Sequence, residues 1–359
     1  MAPGKSLTIL VASTQRRGAE VFCELLSDAL RQEKWDTELV ALARRDGASV
    51  RAQPLSARRE LGKLDLPTVW ALRTHLRRRR PSVLLAFGSS TLKYGVLATR
   101  LFRRRPRLAY ASIGEPLYWA RRAHQRASYR ALLTQVDLVL SVSARTSGQL
   151  GEALGVPAQK LRVTPIGVRA SLLEIPPIDQ DHEFRILFIG SLSTEKDPMT
   201  ALRAFAKLSP NARLRMLGTG PLESSLRTEI ADRGLEPRVE LAGSVDSIEP
   251  HLEWANALLL TSQTEGLPAV VLEAAAASRP VVAYDVGGVG EAVIDEVTGR
   301  LIAPGDADGL VAALARYSEN PAEARRAGAA GREMVAARFT IEAAARTFDA
   351  ALTSLISPP

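Results

Sequence analysis

Glu265 and Glu273 are the carboxylates whose setting suggests chemistry. They stand in Thr264–Ala277, TEGLPAVVLEAAAA, with seven residues between them that begin with the turn Gly266-Leu267-Pro268. Ahead of them the run Ala257-Leu258-Leu259-Leu260-Thr261 reads as a buried parallel strand. Pro268 suits the first position of a helix, where its missing N–H would be unpaired in any case. Glu265 then lies on a short loop and Glu273 about a turn and a half into the helix. Free amides at a helix start attract anions and polar oxygens, whereas carboxylates repel a bare phosphate. Two carboxylates beside such a start point to a ligand with hydroxyls as well as charge, and a sugar on a nucleotide diphosphate has both. The alternative is a plain loop glutamate at 265 and a solvated helix glutamate at 273, and the spacing alone leaves both open.

The elements that must hold this stretch follow from alternating patterns. Strand-like runs in the first half are Leu7–Ser13, Thr37–Leu42, Val83–Phe87, Arg107–Ala111, Leu138–Ser141 and Leu161–Thr164. Helix-like stretches between them include Ala19–Arg31, Thr68–Arg78, Tyr118–Leu133 and Ala144–Leu154. The second half repeats the scheme with strands Phe184–Ile189, Leu214–Leu217, Val239–Leu241 and Pro280–Tyr284 and helices near Leu222–Arg233, Ala307–Ser318, Pro321–Ala337 and Ile341–Ile356. Alternation of this kind predicts an α/β fold with mostly parallel sheets covered on both faces. Residues 44–63 have few large apolar side chains and are expected to form an exposed loop or short helix. Ile175-Pro176-Pro177-Ile178-Asp179-Gln180-Asp181 reads as a connector between domains.

Glu265 to Ala274 (EGLPAVVLEA), followed by RPVVAYDVGGVGEAV and TGRLIAPGD, resembles the E-x7-E signature of retaining glycosyltransferase family 4. The resemblance implies the GT-B fold: two Rossmann-like domains facing across a cleft, with a C-terminal helix crossing back to the first. On that scheme residues 1–169, with 341–359, form the acceptor-side domain and residues 170–340 the nucleotide-sugar domain. It further implies that Glu265 contacts the sugar and Glu273 the ribose hydroxyls, beside Gly266, Leu267 and Pro268. Gly190-Ser191-Leu192-Ser193-Thr194-Glu195-Lys196-Asp197 is similar to the family's G-R-L-x-x-x-K-G. Gly190 and Ser191 thus fall on the donor side and Lys196 on the diphosphate, with Ser191 replacing the usual arginine. Ser13–Glu20 is similar to the family's Gly-Gly-Ala-Glu loop, Arg17 standing for the first glycine and Gly18 for the one that approaches the diphosphate. Val245 falls where relatives meet the base. Ile113 occupies the place of a histidine that contacts the sugar in many members, which leaves Glu115 as the nearest polar group for an acceptor. A helix-start carboxylate is the alternative for Glu115. Val163–Arg169 is similar to V-I-P-N-G-V-D, from which Ile166 and Arg169 depart.

Charge divides the chain. Residues 1–169 carry 30 Lys and Arg against 12 Asp and Glu, and residues 170–359 carry 17 against 27. A half at +18 beside one at −10 implies different surroundings. Arg122, Arg126 and Arg130 recur every four residues near Tyr118, Trp119 and Tyr129, a pattern that suits an anionic membrane face as well as a solvated one. Arg77–Arg80 and Arg103–Arg105 sit at predicted helix ends, where they complement the dipole. Nucleic acid is not expected as a partner, because no binding motif and few aromatics accompany the charge. The single cysteine, Cys23, excludes an intramolecular disulfide and fits a reducing cytoplasm. No run approaches the roughly 18 apolar residues of a membrane span, so a soluble or peripheral location is expected. His75, His124, His182 and His251 are scattered, and neither a metal nor another cofactor is expected.

The expected activity is transfer of a hexose from a nucleotide diphosphate sugar to an acceptor hydroxyl on a lipid-linked or glycan precursor, with Glu265 and Lys196 as the catalytic pair. Since departure of the diphosphate leaves an oxocarbenium-like sugar, catalysis would rest on positioning and charge stabilisation. A glycosidase reading does not fit, because two glutamates gripping one donor do not face each other across a bond. Ser191 and Ile113 keep open a catalytically weakened sugar-nucleotide-binding or scaffolding protein.

Overall fold

The computed structural model describes residues 4–45, 49–56, 64–100, 102, 104–178 and 183–357. Arg103, Asp179, Gln180, Asp181 and His182, and much of the 44–63 stretch, lie outside the described residues. The chain divides into two compact units, Met1–Gly167 with Ile341–Pro359, and Val168–Thr340. The motif-based boundary falls two residues later, after Arg169.

The first unit holds strands β1 (Ser6–Ser13), β2 (Asp36–Ala43), β3 (Gln53–Pro54), β4 (Val83–Phe87), β5 (Arg107–Ser112), β6 (Leu138–Ser141) and β7 (Leu161–Val163). They form one sheet in the order β3-β2-β1-β4-β5-β6-β7, every neighbouring pair parallel. Its central strands β1 and β4 are largely apolar because helices cover both faces: Leu7, Ile9, Leu10, Val83, Leu84 and Leu85 are all fully buried. The two-residue β3 is an edge strand in the 44–63 stretch, so that stretch is not wholly loop. Helix Ser89–Thr99 escapes a periodicity search for a physical reason. Thr91, Leu92, Tyr94, Gly95, Val96, Ala98 and Thr99 are buried around most of its circumference, which leaves no amphipathic stripe.

The expected helix Tyr118–Leu133 is in fact two, Pro116–Trp119 and Ala123–Leu133. Arg122 is the N-cap of the second, and its backbone is extended. Tyr129 turns into the core, where its hydroxyl lies 2.6 Å from that of Tyr110. Arg126 donates to Ala120 O and Arg130 to Ala153 O, so two of the three arginines in the expected stripe are tied to the fold. Helix Ile341–Ile356 belongs to this unit: Asp349 Oδ1 accepts from Lys5 Nζ at 2.7 Å and from Trp35 Nε1 at 2.8 Å. Phe348 packs on Phe22 one residue earlier in the helix, their ring centres 5.9 Å apart.

The second unit holds β8 (Phe184–Ile189), β9 (Ala212–Leu217), β10 (Val239–Gly243), β11 (Ala257–Leu260), β12 (Val281–Tyr284) and β13 (Gly299–Ile302). They form a parallel sheet in the order β10-β9-β8-β11-β12-β13. Both sheets are therefore Rossmann-like, each with its order reversing beside its first strand. In such sheets ligands bind outside the carboxyl ends of the strands at the reversal. In the second unit that point lies between β8 and β11, whose loops carry Gly190–Asp197 and Thr261–Pro268. Among the described residues no helix is long and apolar enough to cross a membrane.

Candidate active site

Beyond the carboxyl ends of β8 and β11 two loops are stitched together. Thr261 Oγ1, fully buried, donates to Asp197 O at 2.8 Å, and Gln263 N donates to Glu195 O at 2.8 Å. These bonds bring Lys196 Nζ to 2.6 Å from Glu265 Oε1. Lys196 is thus no free surface lysine, and Glu265 is buried rather than a solvated loop residue. Asp197 stands where the similar motif has glycine. It takes a left-handed φ of 46°, which aspartate tolerates better than most residues, and its side chain accepts from Thr200 N at 3.3 Å to start helix Pro198–Ala206. Beside the pair, burial and the neighbouring Glu265 raise the Glu195 carboxyl, against the pull of Lys196.

Glycines let the surrounding backbone close in. A Cβ on Gly287 (φ +53°) would stand 1.7 Å from Glu265 O, and one on Gly218 (φ +128°) 2.0 Å from Gly190 O. Gly288 N donates to Glu265 O at 3.2 Å, so the glycine pair after β12 fixes the backbone of the Glu265 loop. Gly190 and Val245 are half-buried, the latter in the loop after β10. Ser191 is exposed, its hydroxyl 3.0 Å from that of Ser193.

Gly266, Leu267 and Pro268 are buried, and Pro268 is the N-cap of helix Ala269–Ala276, one position earlier than expected. Glu273 is half-buried on that helix. Burial pushes its carboxyl up to about 7, opposed by Arg169 and reinforced by Glu249. Arg169 Nη1 lies 3.4 Å from Glu249 Oε1. No hydrogen bond or ion pair among the described residues uses the Glu273 carboxylate, which leaves its oxygens available to a ligand hydroxyl. The sequence reading missed Ser262. It is fully buried directly after β11, and its Oγ has no hydrogen-bond partner among the described residues. Its place in the same TSQTEG loop was the only signal.

Arg17, Gly18 and Glu115 belong to the other unit, at the carboxyl edge of its sheet. Gly18 opens helix Gly18–Gln32, Arg17 is its N-cap, and both are exposed. Glu20, in the same turn, is buried and its carboxyl is pushed up to about 7, mainly by that burial. Glu115 is the N-cap of Pro116–Trp119 without a capping bond. Its Oε1 instead accepts from Gln149 Nε2 at 3.0 Å and lies 3.7 Å from Arg145 Nε. Ile113 lies over Gly88, its Cδ1 3.3 Å from where a Gly88 Cβ would stand. Among the described residues no group of three or more His, Cys, Asp or Glu is placed to hold a metal ion.

Residues 16–172 match the model for Glycosyltransferase Family 4, and residues 175–334 match that for Glycosyl transferases group 1. The chain has the GT-B fold. Relatives of this GT-B chain include the amylovoran biosynthesis glycosyltransferase AmsK of Erwinia amylovora, 33% identical over 55% of this chain and 51% of that protein. The chain spans about half the length of the first curated relatives it matches. A longer match, 26% identical over 77% of this chain and 73% of the relative, is to a GDP-mannose-dependent alpha-(1-6)-phosphatidylinositol monomannoside mannosyltransferase of Mycolicibacterium smegmatis. Among solved structures, Anabaena HepE in complex with UDP and glucose superposes with a TM-score of 0.82, covering 98% of this chain and all of that one at 20% identity. That likeness carries the fold.

Proposed function

We propose that the protein transfers a hexose from a nucleotide diphosphate sugar to an acceptor hydroxyl, with retention at the anomeric carbon. The observation that carries this is the part-buried Lys196–Glu265 pair at the strand-order reversal of the second sheet, with Glu273 following on the next helix. In this reading Lys196 and the amides at the start of helix Ala269–Ala276 meet the charge that develops on the diphosphate. Glu265 accepts from sugar hydroxyls and Glu273 from the ribose. The bond from the anomeric carbon to the diphosphate oxygen breaks, the acceptor oxygen bonds to that carbon, and the acceptor proton leaves with the diphosphate. Gly190, Ser191, Gly266, Leu267, Pro268 and Val245 line the donor, and Glu115 serves the acceptor. No step calls for a metal.

The donor and acceptor classes follow the relatives' names: UDP-sugars and GDP-mannose as donors, and a lipid-linked or envelope glycan precursor as acceptor. The test is mass spectrometry of products from UDP-glucose, UDP-galactose and GDP-mannose with lipid and glycan acceptors, followed by NMR of the new anomeric linkage. A retained linkage supports the proposal. Tight donor binding without turnover would favour the weakened binding protein that Ser191 and Ile113 suggest, and neither binding nor turnover would overturn both readings.

A further inference from the structure

Helix Leu66–Arg79 serves the fold with one face only. Thr68, Leu72 and Leu76 are buried, and Asp65 caps the start by accepting from Thr68 N at 2.9 Å. The opposite face is apolar at one end and cationic at the other. Leu66 is 68% exposed and Trp70, four residues on, is 69% exposed, with Leu64 at 44% just before the helix. Arg73 and Arg77 continue the same stripe at the next helical intervals. Their guanidinium groups lie 4.9 and 5.7 Å from the centre of the Phe102 ring, which holds them beside each other. Arg77, Arg78 and Arg80 are exposed and take part in none of the ion pairs among the described residues, whereas Arg79 pairs with Asp36 and Glu38.

We propose that this face docks the first unit on an anionic lipid surface, with Leu64, Leu66 and Trp70 entering the headgroup boundary and Arg77, Arg78 and Arg80 meeting lipid phosphates. The chemistry matches an interface that is apolar below and negative above, and tryptophan is favoured at that depth. A second copy of the chain is a poor occupant, because the arginines would face one another and three side chains fall well short of the roughly 800 Å² per partner of a stable interface. Nucleic acid is also a poor fit, since a single exposed tryptophan offers no series of stacking surfaces. The inference does not depend on the enzymatic reading. It also moves the membrane contact away from Arg122, Arg126 and Arg130.

Co-sedimentation of the full chain with vesicles of phosphatidylcholine, alone or mixed equally with phosphatidylglycerol, tests the proposal. Binding is expected only to the mixed vesicles. It should fall tenfold or more in Leu66→Ser/Trp70→Ser and at least a hundredfold in Arg77→Glu/Arg78→Glu, with thermal melting unchanged in the first pair and lowered only slightly in the second, whose arginines also complement the helix end. Brominated lipid should quench tryptophan emission in the wild type and markedly less in Trp70→Phe. Binding that is absent, equal for both vesicle types, or unaffected by both double variants would overturn the proposal. So would a concentration-dependent dimer that Leu66→Ser/Trp70→Ser abolishes, since it would assign the face to a second copy.

Discussion

Lys196 Nζ and Glu265 Oε1 stand 2.6 Å apart although 69 residues separate them in the chain. One comes from the loop after the first strand of its sheet and the other from the loop after the fourth strand. Glu265 is buried and Lys196 only partly exposed, so each group has lost water that the other replaces. Such a pair can be redirected by a ligand: a diphosphate competes for the ammonium while sugar hydroxyls take up the carboxylate.

Removing either partner should therefore affect both stability and turnover. Lys196→Ala leaves a buried carboxylate without its cation and is expected to cost about 1–3 kcal/mol, less than a fully buried pair because Lys196 keeps some solvent. Turnover should fall by about two to three orders of magnitude, as for loss of one preorganised charge-stabilising group. Glu265→Gln should keep the fold and raise the donor KM. Urea titration and steady-state kinetics on the two variants measure these effects.

Glu273 predicts a pH dependence. Its carboxyl is pushed up to about 7 in the folded chain against an ordinary value of 4.5, so the folded state holds the proton more tightly. Its contribution to stability is full below about 4.5 and is lost as pH rises to about 7. Donor binding runs the other way, since accepting ribose hydroxyls is served by the ionised form. Donor affinity should rise between about pH 6 and 8 in the wild type. In Glu273→Gln that rise should flatten at weaker affinity, as measured by calorimetric titration.

Glu20 is buried against Cys23 in the first turn of its helix and is likewise raised to about 7. Glu20→Gln keeps the shape and removes the cost of ionising a buried acid. It should stabilise the protein by about 1–3 kcal/mol at pH 8 and change little at pH 4, where both forms are neutral. Denaturant melts at the two pH values separate this from a packing effect, which would be the same at both.

Gly287→Ala would drive a Cβ into Glu265 O at a backbone angle that L residues rarely adopt. It is expected to cost more than about 1 kcal/mol and to shift the Glu265 loop, lowering turnover more than Gly305→Ala. Gly305 also has a positive φ, but a Cβ there meets nothing within 4 Å. Comparing the two variants divides backbone strain from displacement of the carboxylate.

Much of the scaffold was legible because its strands advertise themselves. Val83–Phe87 is buried on both faces and apolar throughout, Phe184–Ile189 is apolar but for Arg185, and both were delimited to the residue. Helices with one wet face, such as Ile341–Ile356, show the 3.6-residue period for the same reason. Helix Ser89–Thr99 hid because it has almost no wet face, and the break at Ala120–Arg122 hid because no proline or glycine marks it. The alternation of segments and the resemblance of the E-x7-E stretch pointed to two Rossmann-like domains of the GT-B fold without any coordinates.

Only the tertiary structure decided partnership, because long-range pairing depends on strand order, which no local pattern encodes. It brought Lys196 to Glu265, left the Ser262 hydroxyl buried without a hydrogen-bond partner among the described residues, and placed Arg169 with Glu249 near Glu273. It also turned Tyr129 inward onto Tyr110 and left Trp70 facing solvent. Both are aromatic residues on basic helices, and their fates differ through what the neighbouring strand and helix had left uncovered.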